Sequence, residues 1–148
     1  CYRLHKLPYI SYFWAFKKLV MALEKTWRWF GVKDSIKLSD LKQFGVEGIV
    51  TALHHIKAGD VWPVEEILKV KQEIERYGMR WSVVESLPVA EEIKIYSQKR
   101  AVAIENYKTS LKNLALCGID TVCYNFMPVL DWARTNLHYK HDNGAESM

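Results

Sequence analysis

The stretch Cys123–Trp132 reads CYNFMPVLDW. The segment Thr121–Tyr124, which leads into this stretch, is rich in β-branched and aromatic residues and follows the helix-ending segment Cys117–Asp120, so it is predicted to be a strand. The strand leads directly into polar and charged side chains, namely Asn125, Asp131 and Arg134. A buried parallel strand that ends in such side chains is typical of the active-site face of a β/α barrel.

From Met21 onward the chain alternates predicted strands with predicted helices. The other strands are predicted over Thr26–Phe30, Gly48–Leu53 and Arg80–Glu85. The helices are predicted at about residues 40–44, 63–77 and 99–117. Ser39 is the predicted N-cap of the first helix. Alternation at these lengths requires parallel strands joined by right-handed crossovers.

The apolar residues of the two longer helices predict which face of each helix packs against the sheet. In the second helix these are Val64, Ile67, Leu68, Val70 and Ile74. In the third helix they are Val102, Ile104, Tyr107, Leu111, Leu114 and Ala115.

A doubly wound sheet and a barrel both fit this order of elements. No G-x-G-x-x-G motif follows a predicted strand, which disfavours a dinucleotide site, and polar groups at all four strand ends favour a barrel. A complete barrel needs about 250 residues, and the chain has 148. The predicted fold class is therefore α/β, the N-terminal half of a (β/α)8 TIM barrel: residues 21–148 supply the first four βα units and are truncated at the C-terminus.

The net charge of +4 belongs to the first twenty residues, which hold four basic side chains and no acid. The remaining 17 basic and 17 acidic residues balance over 21–148, so no nucleic-acid partner is expected. Leu7–Val20 is too short and too charged for a membrane span, and no membrane partner is expected. We expect residues 1–20 to be a non-native or disordered leader; an amphipathic surface segment is the alternative.

The three cysteines are odd in number and lack C-x-x-C spacing, which supports neither a disulfide framework nor a zinc knuckle. A reducing cytoplasm is the expected location. The sequence also lacks H-x-x-x-H, D-x-D and Cys/His clusters, so no metal site is predicted in the chain itself.

His54 and His55 follow the second strand and are the candidate acid/base residues. Neighbouring residues of a strand point to opposite faces, so at most one is expected to enter a site; loop histidines bonded to backbone are the alternative. Arg28 is a candidate for binding a carboxylate or for pairing with an acid. Glu85, after the third strand, is either a site residue or that acid.

Four further residues near the fourth strand are candidate substrate contacts. Asn125 suits hydroxyl or carboxylate binding, or it ties down its own loop. Asp131 and Arg134 either pair with each other or bind a polyhydroxy acid, and Trp132 either stacks on a sugar face or packs.

Four blocks of the chain closely resemble the N-terminal part of the mannonate dehydratase family. They are TWRWFG (Thr26–Gly31), GIVTALHHI (Gly48–Ile56), WSVVES (Trp81–Ser86) and VCYNFMPVLDW (Val122–Trp132). The resemblance covers about residues 26–140 in order. Ala133 stands where a threonine is expected, and the tail from Lys140 to Met148 is a loose match.

The resemblance implies a xylose-isomerase-like β/α barrel and a hydro-lyase that converts D-mannonate to 2-keto-3-deoxy-D-gluconate in hexuronate catabolism. It also implies Mn²⁺ or Fe²⁺ held by ligands beyond Met148, so the fragment alone is expected to be inactive. A homo-oligomer is expected for the full-length enzyme. Another xylose-isomerase-like isomerase or epimerase, or a non-catalytic sugar-acid-binding module, remains the alternative.

Overall fold

A computed structural model describes residues 23–127 and 133–147. The strands and helices are β1 (Thr26–Arg28), α1 (Leu38–Gln43), β2 (Gly48–Thr51), α2 (Val64–Glu75), β3 (Arg80–Val84), α3 (Glu91–Lys94), α4 (Arg100–Leu116), β4 (Tyr139–Lys140) and β5 (Glu146–Ser147). The expected leader of residues 1–20 lies outside the described residues, as do Asp131 and Trp132.

The first three strands form a parallel sheet in the order β1-β2-β3. β1 pairs with β2 from Thr26 opposite Gly48 onward, and β3 pairs with β2 with a register shift between Ile49 and Val50. Main-chain hydrogen bonds extend this pairing one residue past β1, where Trp29 N–H donates to Val50 O at 3.0 Å. The sheet confirms the α/β class and the parallel order predicted from the sequence.

The predicted fourth strand, Thr121–Tyr124, is reduced to one parallel bridge between Val84 and Val122. Two main-chain bonds of 2.9 Å hold it, from Val84 N–H to Thr121 O and from Cys123 N–H to Val84 O. The residues after the bridge are mostly exposed, and no described strand pairs with their outer side. The segment forms one bridge and no continuous ladder, so the prediction of a full strand was wrong.

The two faces of the sheet differ in burial. Ile49, Trp81 and Val84 are buried on the face that packs against α2 and α4, where Ile67 and Leu114 are also inaccessible to solvent. Burying side chains of this size contributes about 1.5–3 kcal/mol each. Val50 and Val83 are only partly buried, and Arg28 in register with Val50 is exposed. The face that carries Arg28 is therefore the open one.

α1 begins two residues earlier than the sequence predicts, at Leu38 instead of Asp40, and its N-terminal donor is bound by Asp40 rather than Ser39. The Asp40 carboxylate accepts the main-chain N–H of Lys37, the N-cap residue, at 3.0 Å. A charged acceptor binds an N–H more strongly than a hydroxyl does. This start also buries Leu38 and Leu41. Ser39 therefore lies inside the helix, and its assignment as the N-cap was wrong.

α2 packs as predicted: Ile67 and Ile74 are buried, and Val64, Leu68 and Val70 lie partly buried against the core. In α4 the buried residues are Ala103, Ser110 and Leu114, whereas Val102 is 65% exposed.

The predicted packing face of α4 was therefore partly wrong. Small side chains let α4 approach the loop before α2, where Ser110 Oγ accepts the Trp62 N–H at 3.0 Å. Asn113 Nδ2 donates to Trp62 O at 2.8 Å from the same side of the helix.

The sequence did not predict α3 or the short antiparallel hairpin of β4 and β5. Among the described residues, no helix has both the length and the apolar character that a bilayer crossing requires.

Candidate active site

An ion pair joins the carboxyl ends of β1 and β3 on the open face of the sheet. Arg28 Nε lies 3.3 Å from Glu85 Oε2. Glu85 directly follows β3, and its N–H donates to Thr51 O at 3.0 Å, which fixes its main chain. The structure thus shows that Glu85 is the acid that pairs with Arg28. Both side chains stay partly accessible, at 48% and 28%, so the guanidinium edge remains open to a ligand.

The ring of Phe30 brings His54 into the same cluster. Arg28 Cζ lies 4.6 Å from the centroid of the Phe30 ring, within cation–π range. On the other side, the ring centroids of Phe30 and His54 are 5.9 Å apart with a tilt of 32°. Arg28, Phe30, His54 and Glu85 therefore form one connected group, named here the strand-end cluster.

Partial burial lowers the pKa of His54 below its ordinary value. A hydrogen bond to the main chain of Trp29 opposes this effect, whereas the positive charge of Arg28 adds to it. The nearby His55 lowers the pKa further, and Glu85 raises it. The balance favours a neutral imidazole, which has a free lone pair to accept a proton.

His55 faces α2 instead of the ion pair. Its Nε2 lies 3.1 Å from Glu66 Oε2. Glu66 also bonds Lys69, which is the main reason that the pKa of Glu66 lies below its ordinary value. His55 is thus held by a charged partner at the helix surface, whereas His54 belongs to the strand-end cluster.

A cleft of about 570 Å³ opens beside the strand-end cluster. Phe30, both histidines and Glu66 are among its lining residues, and Arg28 and Glu85 lie outside the lining. Thr51 also lines the cleft, and its buried Oγ1 donates to Trp29 O at 2.6 Å. The cleft is large enough for a small polar ligand to approach His54.

The remaining predicted residues are not joined to the strand-end cluster by a described contact. Asn125 is partly buried and lies three residues after Val122, the residue that bridges to β3. Arg134 is exposed, and its Nη1 donates to Ala133 O at 3.3 Å. Asp131 and Trp132, between them in sequence, lie outside the described residues.

The sequence-based prediction did not identify two residues that hold the site together, Phe30 and Lys94. Phe30 was detectable, because residues two apart in a strand share a face and Phe30 follows Arg28 by two. Lys94 was not, since it lies in the unpredicted helix α3. Its side chain is 6% exposed, and its Nζ contacts Glu91 Oε1 at 2.8 Å and Met127 O at 3.1 Å. Lys94 thereby anchors the segment that carries Asn125.

Within residues 23–127 and 133–147, no group of three or more His, Cys, Asp or Glu side chains is placed to hold a metal ion. The described residues therefore do not fit a metal centre of their own.

Fold and site together define an α/β protein whose charged and aromatic side chains gather where parallel strands end, as in enzymes of the β/α class. The chain belongs to the D-mannonate dehydratase (UxuA) family, whose pattern matches residues 23–148. This confirms the resemblance inferred from the sequence and extends it through the tail to Met148.

Curated relatives support the assignment. A mannonate dehydratase from Marinomonas sp. (strain MWYL1) is 56% identical over 126 residues, which are 85% of this chain and 32% of that protein. Mannonate dehydratase 2 from Halalkalibacterium halodurans is 52% identical over 124 residues, covering 83% and 36%. The chain thus spans about a third of the length of these relatives.

A solved structure agrees with the sequence matches. The crystal structure of mannonate dehydratase from Streptococcus suis serotype2 superposes with a TM-score of 0.75 at 45% identity. The match covers 84% of this chain and 36% of that one.

Proposed function

We propose that this chain supplies the first βα units of a xylose-isomerase-like (β/α)8 barrel in a hydro-lyase. The reaction is the conversion of D-mannonate to 2-keto-3-deoxy-D-gluconate. The carrying observation is the strand-end cluster, which lies where a β/α enzyme has its active site, in a chain of the mannonate dehydratase family.

The reaction removes water across C2 and C3 of a sugar acid. A base takes the proton from C2, an acid protonates the departing C3 hydroxyl, and the resulting enol tautomerises to the 2-keto product. The C2 proton is weakly acidic, so the negative charge that develops on the neighbouring carboxylate must be stabilised.

In this chain, Arg28 binds the substrate carboxylate through the edge of its guanidinium that Glu85 leaves open. Glu85 fixes the orientation of that guanidinium. His54, held neutral, accepts or returns a proton at its imidazole nitrogen. His55, which also lines the cleft, is the alternative proton carrier. Asn125, Asp131, Trp132 and Arg134 are proposed to contact the sugar hydroxyls or carboxylate from the fourth unit.

The family resemblance implies Mn²⁺ or Fe²⁺, and the described residues do not fit such a site. We propose that its ligands come from side chains outside the described part of the chain. We also propose a cytoplasmic enzyme that is a homo-oligomer at full length.

The test compares the 148-residue chain with a chimera. In the chimera, residues 23–147 replace the matching third of the Marinomonas relative. Both are incubated with D-mannonate and Mn²⁺, and formation of 2-keto-3-deoxy-D-gluconate is followed. We expect turnover from the chimera and none from the chain alone, because a third of the relative cannot close a barrel.

A chimera that folds, as judged by circular dichroism and gel filtration, and yet lacks activity beside an active parent would contradict the proposal. Turnover by the monomeric 148-residue chain would contradict the half-barrel interpretation instead.

A further inference from the structure

The main chain of Phe30 is held in place by a hydrogen-bonded turn. Its N–H donates to Asp34 Oδ2 at 2.8 Å, and Asp34 Oδ1 accepts the N–H of Ile36 at 3.0 Å. The N–H of Asp34 closes the turn on Gly31 O at 2.9 Å. Gly31 has φ of +89°, a conformation that other residues rarely adopt. The Phe30 main chain is therefore fixed from both sides.

The ring of Phe30 is 54% exposed and lies outside the buried hydrophobic cluster. Its described ring contacts are with two polar side chains, the Arg28 guanidinium at 4.6 Å and the His54 imidazole at 5.9 Å. A ring that buries little area of its own contributes little to the core. Its contacts instead connect a cation at the end of β1 with an imidazole in the turn after β2.

We propose that Phe30 is a positioning residue that holds the Arg28 guanidinium and the His54 imidazole in one fixed arrangement at the ends of β1 and β2. This inference rests on the proposed function, because the two groups it positions are the proposed carboxylate binder and proton carrier. Phe30 itself touches no reacting atom in this scheme.

The charges around His54 are consistent with this role. Arg28 faces it from β1, Glu85 from the end of β3, and His55 from its own loop. Partial burial is the largest cause of its lowered pKa, and Phe30 is the aromatic ring in contact with the imidazole. Removing the ring exposes the imidazole to water, so its pKa rises toward the ordinary value of about 6.5.

The experiment uses three variants: Phe30→Ala, Phe30→Tyr and the control Phe44→Ala. Phe44 is 85% exposed at the C-terminal end of α1, away from the strand-end cluster. The titration of the His54 ring is followed by NMR in the chain and in the chimera, with His54→Gln for assignment. The pH dependence of kcat/KM on D-mannonate is measured in the chimera.

We expect Phe30→Ala to raise the pKa of His54 and to move the acid limb of kcat/KM to higher pH. At neutral pH it lowers kcat/KM about two- to five-fold, as expected for loss of an exposed cation–π contact. Phe30→Tyr keeps the ring and restores both values, and Phe44→Ala changes neither. The urea midpoint stays close to that of the parent in all three variants.

An unchanged His54 titration and an unchanged acid limb in Phe30→Ala would overturn the positioning role. The proposed function is tested by a different result: it would be contradicted if the parent chimera did not dehydrate D-mannonate. In that case the NMR titration would still show whether Phe30 affects His54. A loss of activity that Phe30→Tyr does not rescue, with His54 unchanged, would also contradict the proposal.

Discussion

Two arginine–glutamate pairs lie at opposite ends of the same three-stranded sheet. At the amino end, Arg80 Nη2 donates to Glu24 Oε2 at 2.7 Å, its Nε donates to the other carboxylate oxygen, and Ser82 Oγ adds a bond of 2.9 Å. At the carboxyl end, Arg28 and Glu85 meet through a single contact of 3.3 Å.

The difference lies in how many donors each carboxylate binds. A bidentate pair with a third donor uses most of the hydrogen-bonding capacity of the carboxylate, which leaves little for a ligand. The looser pair leaves donors of Arg28 open. In β/α enzymes the amino end of the sheet serves stability and the carboxyl end carries the chemistry. The two pairs of this sheet agree with that division, because the amino-end carboxylate binds three donors and the carboxyl-end pair makes a single contact.

The largest expected effect tests the amino end. A Cβ at Gly48 would lie 1.9 Å from Ser82 Oγ and 2.6 Å from Glu24 Oε1. Gly48→Ala therefore forces the network apart, and we expect it to lower the free energy of unfolding by about 1–3 kcal/mol. Urea unfolding of the chimera measures the change.

As a control, Gly48→Ala is also made in a chimera that carries Ser82→Ala. Ser82→Ala removes Ser82 Oγ, the atom nearest to the new Cβ. We expect most of the cost of Gly48→Ala to disappear there, since the end of the Glu24 side chain can move away. An equal cost in both backgrounds would show that the close approach to Ser82 is not the cause.

The second prediction tests the carboxyl end. Arg28→Lys keeps the charge but loses the planar fork, so we expect kcat/KM of the chimera to fall about tenfold, or about 1.4 kcal/mol, mainly through KM. Its stability should change by less than about 0.5 kcal/mol. Steady-state kinetics on D-mannonate and urea unfolding measure both quantities.

Arg80→Lys is the matched control, because it makes the same change at the other end of the sheet. We expect it to leave kcat/KM unaltered and to lower stability by up to about 1 kcal/mol. If Arg28→Lys and Arg80→Lys both changed stability and neither changed kcat/KM, the proposal that only the carboxyl end binds substrate would be wrong.

Much of the fold was predictable because it depends on local patterns. The strands around Ile49 and Trp81 and the packing of α2 follow from apolar periodicity and helix-end glycines. The buried side of α4 was not predictable. It includes Ser110, a polar residue whose buried hydroxyl accepts a hydrogen bond from Trp62, 48 positions away. The fourth strand was predicted from β-branched and aromatic composition, but such propensity depends on the surrounding packing, and only the bridge between Val84 and Val122 forms.

The site was predictable only as a set of candidates. The sequence suggests Arg28 and Glu85 as strand-end residues, but their pairing depends on the sheet order and register that bring them together across β2. Likewise, the choice between His54 and His55 depends on which way the chain turns after β2, where Glu66 of α2 holds one of them. Long-range geometry decides both.

The third prediction concerns pH. The Arg80 hydrogen bond lowers the pKa of Glu24 below its ordinary value, burial opposes this, and Ser82 adds to the lowering. A lowered folded-state pKa contributes stability that is present above the unfolded value of about 4.3 and is lost as the pH falls through the folded value. The amino-end pair should therefore weaken below about pH 4.

The measurement is the difference in urea stability between the parent chimera and Glu24→Gln from about pH 6 to about pH 3. We expect a difference of at most about 1 kcal/mol at the upper end that shrinks toward zero at the lower end. Glu105→Gln on α4 is the control, since its partner Lys108 is an exposed neighbour in the same helix. A difference that stays constant with pH would show that the charge of Glu24 contributes nothing.

The smallest expected effect concerns a third arginine. Arg134 is exposed, and its guanidinium donates to the carbonyl of Ala133 at 3.3 Å. If it binds the substrate carboxylate or a hydroxyl, Arg134→Lys keeps the charge and loses the fork. We expect KM for D-mannonate to rise about two- to five-fold with kcat unchanged, equivalent to about 0.5–1 kcal/mol for an exposed charged contact.

Arg76→Lys is the control for Arg134→Lys, because Arg76 is also a surface arginine and its ion pair with Glu73 lies on α2. Steady-state kinetics of the two chimeras separate the cases. A raised KM only in Arg134→Lys would extend the binding role of the carboxyl end from β1 to the segment after the fourth strand. A normal KM would restrict that role to Arg28 and leave Arg134 as a structural residue of its loop.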